Sequence, residues 1–174
     1  DKLVENHINT SSSLINKKLI IQKPHKLLSP FRLDIGFKLF FLNYKIELSN
    51  RLYKKTIEII TSFTFQEYGN NKKNDYVSYL REFKKIHKSL VSNGFSSDLS
   101  VIPISDNNII LDGSHRLTCC VKNNIDVPTL KYHSKTPNYN WIFFRDRGMS
   151  MNFIEIGVQE YIKYSDDIYV AFLW

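Results

Sequence analysis

The sequence predicts a single α/β domain of the α+β kind, in which N-terminal helices pack on a small mixed sheet. The chain has 174 residues, 43% of them hydrophobic, which is enough for one packed core and excludes a disordered chain. Apolar residues recur at helical spacing through the first half of the chain. After residue 98 the pattern changes to short β-branched segments separated by turn residues.

The first helix is expected after a polar start of the chain. Residues 1–17 are polar and are predicted to form a flexible arm, which leaves 18–174 as the domain. A short strand is expected at 18–22. Apolar residues on nearly every side of the segment 31–48 predict one long helix that is buried on several faces.

Two more helices are expected before the change of pattern. Asn50 is predicted to cap a helix over 51–68, and a third helix is expected over 75–92, ended by the Asn93-Gly94 pair. The residues predicted to face inward from these two helices are Leu52, Thr56, Ile59, Ile60, Phe63, Tyr76, Tyr79, Leu80, Phe83, Ile86, Leu90 and Val91.

The second half is predicted to supply most of the sheet. Residues 99–104 and 109–111 read as two strands of a hairpin, followed by a helix over 113–122 and a strand over 127–132. The C-terminal segments that we expect to be regular are a strand at Trp141–Phe144, a helix over 152–163 and a strand over 168–173.

Charge and cysteine content restrict the class of protein. The net charge of +7 favours anionic partners such as nucleotides, phosphorylated sugars, nucleic acid or a membrane face. Cys119 and Cys120 are the two cysteines and are adjacent, which excludes a disulfide framework and a zinc quartet. No apolar run reaches the ~20 residues of a membrane span, and no signal peptide is evident, so we expect a cytoplasmic protein. The missing initiator Met leaves open that a larger protein surrounds this chain.

The most informative segment runs from Ile109 to Leu117, where a strand, a glycine turn and a helix start follow one another. A helix N-terminus presents unpaired backbone N–H groups and partial positive charge. Gly113 lets the backbone approach an anion, Ser114 adds a hydroxyl donor, and His115 and Arg116 add further donors. The arrangement predicts a phosphate or pyrophosphate site.

Several roles remain open for individual residues of this segment. Asp112 could ligate a metal ion such as Mg²⁺, accept a proton in catalysis, or cap the following helix. His115 is a catalytic candidate or a histidine with a structural role, and Arg116 binds phosphate or forms a salt bridge to a nearby carboxylate.

The stretch from Val101 to Leu130 resembles the core of the ParB/sulfiredoxin-like superfamily. The residues that carry the resemblance are Asp112-Gly113-Ser114-His115-Arg116, with Thr118, Cys119 and Cys120 as the small-residue stretch of the helix. The resemblance implies a small α/β core, here 99–132, that binds nucleotide phosphates at the helix start. Sulfiredoxins carry a catalytic cysteine where this chain has Ser114, which argues against sulfinic acid reduction. Partition proteins carry a DNA-binding helical region after this core, and we expect none in this chain.

A second resemblance links the first helix to this segment. Arg32-Leu33-Asp34-Ile35 with Lys38, then Gly94-Phe95 and Leu111 to Arg116, is similar to proteins of bacterial surface-polysaccharide gene clusters. This resemblance implies glycan assembly from a phosphorylated sugar donor, for which phosphoribosyl pyrophosphate is one candidate.

Arg32, Asp34 and Lys38 form a second candidate group, at the start of the first helix. Asp34 and Lys38 are four residues apart and share one helix face. In one interpretation Asp34 is a general base for an acceptor hydroxyl, while Arg32 and Lys38 neutralise the donor phosphate. In the other they form an ordinary ion pair on a solvated face.

Together these observations predict a transferase that binds a phosphorylated donor and performs kinase-like phosphoryl transfer to a small hydroxyl acceptor or a glycan. The alternatives are a phosphoribosyl pyrophosphate-dependent glycosyltransferase of polysaccharide synthesis and a non-catalytic module that binds nucleotide or nucleic acid. Nucleic acid is disfavoured because most Phe and Tyr residues fall on core-facing helical positions. The donor, the acceptor and the oligomeric state stay open.

Overall fold

A three-stranded mixed sheet supports the molecule in the computed structural model, which describes residues 13–67 and 73–165. Its strands are β1 (Ser13–Gln22), β2 (Ile102–Ile104) and β3 (Val127–His133), in the order β1-β3-β2. The central strand β3 pairs antiparallel with β1 and parallel with β2. A parallel pair needs a crossover connection, and a helix supplies it between β2 and β3.

Helices make up most of the remaining described chain, which confirms the predicted α+β class with a small mixed sheet. A short 3₁₀ helix at Pro24–Leu27 follows β1. The α-helices are α1 (Asp34–Asn43), α2 (Glu47–Ile60), α3 (Tyr76–Asn93), α4 (Ser114–Asn123), α5 (Trp141–Arg145) and α6 (Met151–Ile162).

Local sequence explains where α3 and α4 begin and end. Asp75 and Ser78 form a capping box at the start of α3, and Gly94 ends that helix with a φ of 69°. α4 starts from Gly113, with a φ of 82°, and stops at Asn124, with a φ of 50°. Both residue types tolerate positive φ, so the bounds of α4 follow from the residues beside it.

The core has two parts, which meet along α1. The larger part joins α1, α2, α3 and α4 to the sheet, and the smaller part lies where α1 and α2 meet α5 and α6. In the smaller part the ring of Phe37 packs edge-on against Phe144, with 4.8 Å between centroids.

Glycines allow α1 and α6 to cross in close contact. A Cβ at Gly36 would overlap the backbone carbonyl of Gly157, and a Cβ at Gly157 would overlap the ring of Phe37. The two helices therefore meet backbone to backbone, and this contact connects the N-terminal helices to the end of the described chain.

The long helix predicted over 31–48 is wrong, because two helices occupy this region. α1 ends at Asn43, Tyr44 is extended, and α2 starts three residues further on. The hydroxyl of Ser49 donates to the carbonyl groups of Tyr44 and Ile46, which stabilises the break. The prediction that Asn50 caps this helix is also wrong. Asn50 lies inside α2, and the N-cap residue of α2 is Ile46.

Because α2 ends early, the residues that face the core differ from those predicted. The helix stops at Ile60, well short of residue 68, and Phe63 follows with a φ of 64° and 55% exposure. Leu52, Thr56 and Ile59 are buried as predicted, but Phe63 is not. Val91 of α3 is likewise exposed.

Three predictions for strands need correction. Trp141–Phe144 belongs to helix α5, because the side chain of Asn140 caps the backbone N–H of Phe143. The predicted hairpin is reduced to one bridge between Ile104 and Ile110, so residues 109–111 form no strand. β1 begins at Ser13, so residues 13–17 belong to the sheet instead of an arm. Residues 1–12 and the strand predicted over 168–173 lie outside the described residues.

We expect Gly36→Ala to destabilise the protein by about 1–3 kcal/mol or more, because the added methyl group has no space at the crossing of α1 and α6. Gln159→Ala is the control, since Gln159 is exposed on α6. Denaturant unfolding of both variants would measure the difference. A Gly36→Ala protein as stable as the wild type would refute the close crossing.

Candidate functional site

A cleft of about 590 Å³ opens where the start of α1 meets the start of α4. All eight residues predicted for the site line it: Arg32, Asp34, Lys38, Asp112, Gly113, Ser114, His115 and Arg116. The two candidate groups, about 80 residues apart in the chain, therefore form one site. Other lining residues come from the connection between α2 and α3 and from α3 itself. They include Lys73, Tyr79 and Glu82.

The approach to α4 is built by a tight turn and a left-handed glycine. The backbone of Leu111 donates to the carbonyl of Pro103, which holds the segment against β2. Gly113 then turns the chain into α4, and the guanidinium of Arg116 folds back over it, 3.0 Å from where a Cβ would stand. A side chain at position 113 would be strained by its φ and crowded by Arg116.

Arg32, Asp34 and Lys38 form a buried ion triad, with exposures of 3%, 0% and 1%. Arg32 binds both carboxylate oxygens of Asp34, at 2.9 Å and 3.1 Å, and Lys38 Nζ binds Oδ2 at 2.7 Å. The solvated ion pair that the sequence left open is therefore wrong, because these charges lie inside the protein.

The triad controls the protonation of its own members. Burial would raise the pKa of Asp34, but the charges of Arg32 and Lys38 outweigh it and hold that pKa well below its usual value. Burial, with the charge of Arg32, lowers the pKa of Lys38, although Asp34 opposes this. Asp34 is therefore an ionised carboxylate with little tendency to accept a proton.

The triad also ties α1 to the start of α4. Lys38 Nζ donates to Ser114 Oγ at 2.6 Å, and Arg32 Nη1 donates to the carbonyl of Ile110 at 2.8 Å. The guanidinium of Arg32 further lies over the ring of Tyr139, 5.2 Å from its centroid. The three charges thus hold the glycine turn, α4 and the segment before α5 in one arrangement.

His115 is directed into an aromatic cluster. Its Nε2 lies 2.9 Å from Tyr53 Oη, and its ring packs edge-on against Phe83 with 4.6 Å between centroids. Burial is the main cause that lowers the pKa of His115 well below its usual value, and Lys38 and Lys73 add to it. His115 is therefore neutral at pH 7, and its ring connects α4 to α2 and α3.

Asp112 and Arg116 form an ion pair at the start of α4. Arg116 Nη2 lies 3.5 Å from Asp112 Oδ2, and Arg116 Nη1 donates to the carbonyl of Val101. The N-cap residue of α4 is Gly113, so the helix start does not place Asp112 in the capping position. Both side chains are partly exposed to the cleft, at 27% and 12%.

Some residues of the cleft were not expected from the sequence. Lys73 pairs with Glu67 at 2.8 Å and lies over the ring of Tyr79. Tyr139, which lines the cleft, and Tyr53, which contacts His115, also had no assigned role. No spacing pattern could have found these two tyrosines, because their contacts with Arg32 and His115 join segments far apart in the chain.

Metal ligation was predicted for Asp112. Within 13–67 and 73–165, no group of three or more His, Cys, Asp or Glu side chains is placed to hold a metal ion. Asp112 could still be the protein ligand of Mg²⁺ that is bound mainly through phosphate oxygens, since Mg²⁺ needs few protein ligands.

Comparison of the chain with protein-family models, with curated proteins and with solved structures gives no match. The arguments about function therefore rest on the geometry of the cleft. Among the helices of the described part of the chain, none combines the length and apolar character needed to cross a membrane.

Asp34→Asn should lower the free energy of unfolding by about 3–5 kcal/mol, because it leaves two buried cations without their counter-charge. Glu58→Gln is the matched control, since Glu58 pairs with Lys54 at 3.9 Å on the partly exposed face of α2. We expect that change to cost less than about 1 kcal/mol. Equal losses in denaturant unfolding would contradict a buried triad.

Stability should rise with pH between about pH 5 and 7, in part because of His115. Its pKa is lower in the folded protein than its usual value of 6.5, so the unfolded chain binds more protons in this range. His115→Gln should flatten this part of the profile of unfolding free energy against pH. His25→Gln, at an exposed position, should leave it unchanged. A profile insensitive to His115→Gln would show that His115 is solvated.

Proposed function

We propose that the cleft binds the phosphate or pyrophosphate group of a phosphorylated donor at Gly113–Arg116, and that the protein is a transferase. One observation carries the proposal. Lys38, with a side chain 2% exposed, donates to the hydroxyl of Ser114, the first residue of α4. A buried cation and the partial positive charge of a helix start thus meet at one point of an open cleft.

The charges of the cleft suit a phosphate group that carries a divalent cation. Four basic and four acidic side chains line it: Arg32, Lys38, Lys73 and Arg116, against Asp34, Glu67, Glu82 and Asp112. A free pyrophosphate would leave this balanced set with a large excess of negative charge. A Mg²⁺–phosphate complex, with Asp112 as the protein ligand, would reduce that excess.

The reaction that we propose is kinase-like phosphoryl transfer to a hydroxyl. The bond between the terminal phosphorus and its bridging oxygen breaks, and the acceptor oxygen forms a new bond to that phosphorus. Arg32, Lys38 and Arg116 balance the charge on the departing phosphate. The hydroxyl of Ser114 donates to a phosphate oxygen, since Lys38 already occupies an acceptor position on Oγ.

The base role is better assigned to Asp112 than to Asp34. Asp34 is clamped between two buried cations, so we propose that it positions Arg32 and Lys38. Asp112 lies in the cleft with part of its side chain exposed and would take the proton of the acceptor hydroxyl. His115, neutral and directed to Tyr53, is proposed to hold the helix start in place instead of transferring a proton.

A ligand screen tests the donor. Thermal shifts would be recorded for ATP, ADP, CTP and phosphoribosyl pyrophosphate, with and without Mg²⁺. A donor at 100 times its Kd should stabilise the protein by about 2.7 kcal/mol. We expect Arg116→Gln to reduce this shift strongly and Arg81→Gln, an exposed position on α3, to leave it intact.

The same screen separates the alternatives. A Mg²⁺-dependent shift with a nucleotide, followed by phosphoryl transfer to a hydroxyl, supports the kinase-like reaction. A shift with phosphoribosyl pyrophosphate alone would favour sugar transfer with release of pyrophosphate. Asp112→Asn should abolish turnover and weaken the Mg²⁺-dependent part of the donor shift, since Asp112 is also the proposed Mg²⁺ ligand. Full turnover would remove Asp112 as the base. If no donor shifts the wild type, the phosphate site itself is refuted.

A further inference from the structure

A second surface, formed by α5 and the start of α6, combines exposed apolar side chains with basic ones. Trp141, Ile142 and Met151 are 42%, 41% and 52% exposed, and all lie between residues 141 and 152. Phe144 and Met149 of the same segment are buried in the smaller part of the core, so they anchor the segment to the protein. Large apolar side chains that are exposed close together in the chain are candidates for an interaction site.

Two arginines of the same segment lie over aromatic rings. The guanidinium of Arg145 lies 4.9 Å from the centre of the Trp141 ring, and that of Arg147 lies 3.9 Å from the centre of the Phe143 ring. Both arginines are therefore held beside the apolar side chains and remain exposed.

A shallow cavity extends the basic character towards α2. It has a volume of about 370 Å³ and joins Gly148 and Ser150 to Arg51, Lys54 and Lys55. With Arg145 and Arg147, five basic side chains stand against two acidic ones, Glu58 and Asp146. We call residues 141–152 together with Arg51, Lys54, Lys55 and Glu58 the α5–α2 surface; its formal charge is +3.

We propose that the α5–α2 surface docks on an anionic lipid membrane. Trp, Ile and Met side chains can enter the boundary between headgroups and acyl chains, while Lys and Arg bind anionic headgroups. A single-stranded nucleic acid would use the basic residues and the Trp141 ring, but Ile142 and Met151 have no face on which a base can stack. The aliphatic part of the surface therefore favours lipid over nucleic acid.

This surface adjoins the candidate active site. Tyr139 lines the cleft and pairs with Arg32 two residues before α5 begins. When the protein is bound to a membrane through this surface, its cleft would lie close to the lipid headgroups. The docking proposal rests on the α5–α2 surface alone and holds whichever donor the cleft binds.

Vesicle binding tests the proposal on the full chain. The chain has two tryptophans, so Trp174→Phe leaves Trp141 as the single tryptophan, whose emission can be excited selectively. Vesicles of phosphatidylcholine mixed with phosphatidylglycerol should bind the protein and shift Trp141 emission to the blue, while phosphatidylcholine alone should not. Arg145→Gln with Arg147→Gln should weaken binding about 25-fold, because each basic side chain near an anionic surface contributes about fivefold. In the wild-type background, Trp141→Ser with Ile142→Ser should abolish co-sedimentation with the vesicles.

Matched controls come from α3. Val77→Ser with Val91→Ser removes two apolar side chains that are 58% and 56% exposed, and Lys84→Gln with Lys88→Gln removes two exposed charges. Neither pair should change vesicle binding, and thermal unfolding would confirm that every variant is folded. The proposal is overturned if the wild type ignores anionic vesicles, if the controls lose as much binding, or if the same variants lose binding only to a single-stranded oligonucleotide.

Discussion

The ion triad of Arg32, Asp34 and Lys38 is the interaction on which the candidate site depends. Each of these charges loses its water on folding, at a cost of several kcal/mol per ion. The bidentate contact from Arg32 and the bond from Lys38 offset part of that cost. Arg32 also donates to the carbonyl of Ile110, and Lys38 also donates to Ser114, so the triad carries the connection between α1 and the start of α4.

This connection gives the cleft its chemical character. The N-terminus of α4 and the glycine turn before it would be an ordinary helix start without a cation held beside it. With Lys38 fixed there by Asp34, and with His115 anchored to Tyr53, the first turn of α4 has a defined position between α1, α2 and α3. Binding groups that are held rigidly before the ligand arrives lose less entropy when it binds.

Neighbouring residues in the first half of α1 serve the two proposed activities in different ways. Asp34 and Lys38 belong to the triad, while Gly36 and Phe37 face α6 and α5 and support the segment that bears Trp141 and Arg145. A rearrangement of the contact between α1 and α6 would therefore disturb both the cleft and the α5–α2 surface. The two surfaces share one support, although their side chains and their proposed ligands differ.

Local sequence alone determined the class of the fold, the capping box and glycine stop of α3, the bounds of α4, and the glycine turn at 112–116. These features depend on neighbouring residues, so their signals are local. The division of the segment 31–48 at Tyr44, the helical state of Trp141–Phe144 and the reduction of the hairpin to one bridge were decided by tertiary contacts. The same holds for the site: residue types suggested the ion pair and the helix start, but only packing buries the triad and sets Lys38 against Ser114. Burial strengthens the interaction between charges. It depends on residues far apart in the chain, and no local pattern contains that information.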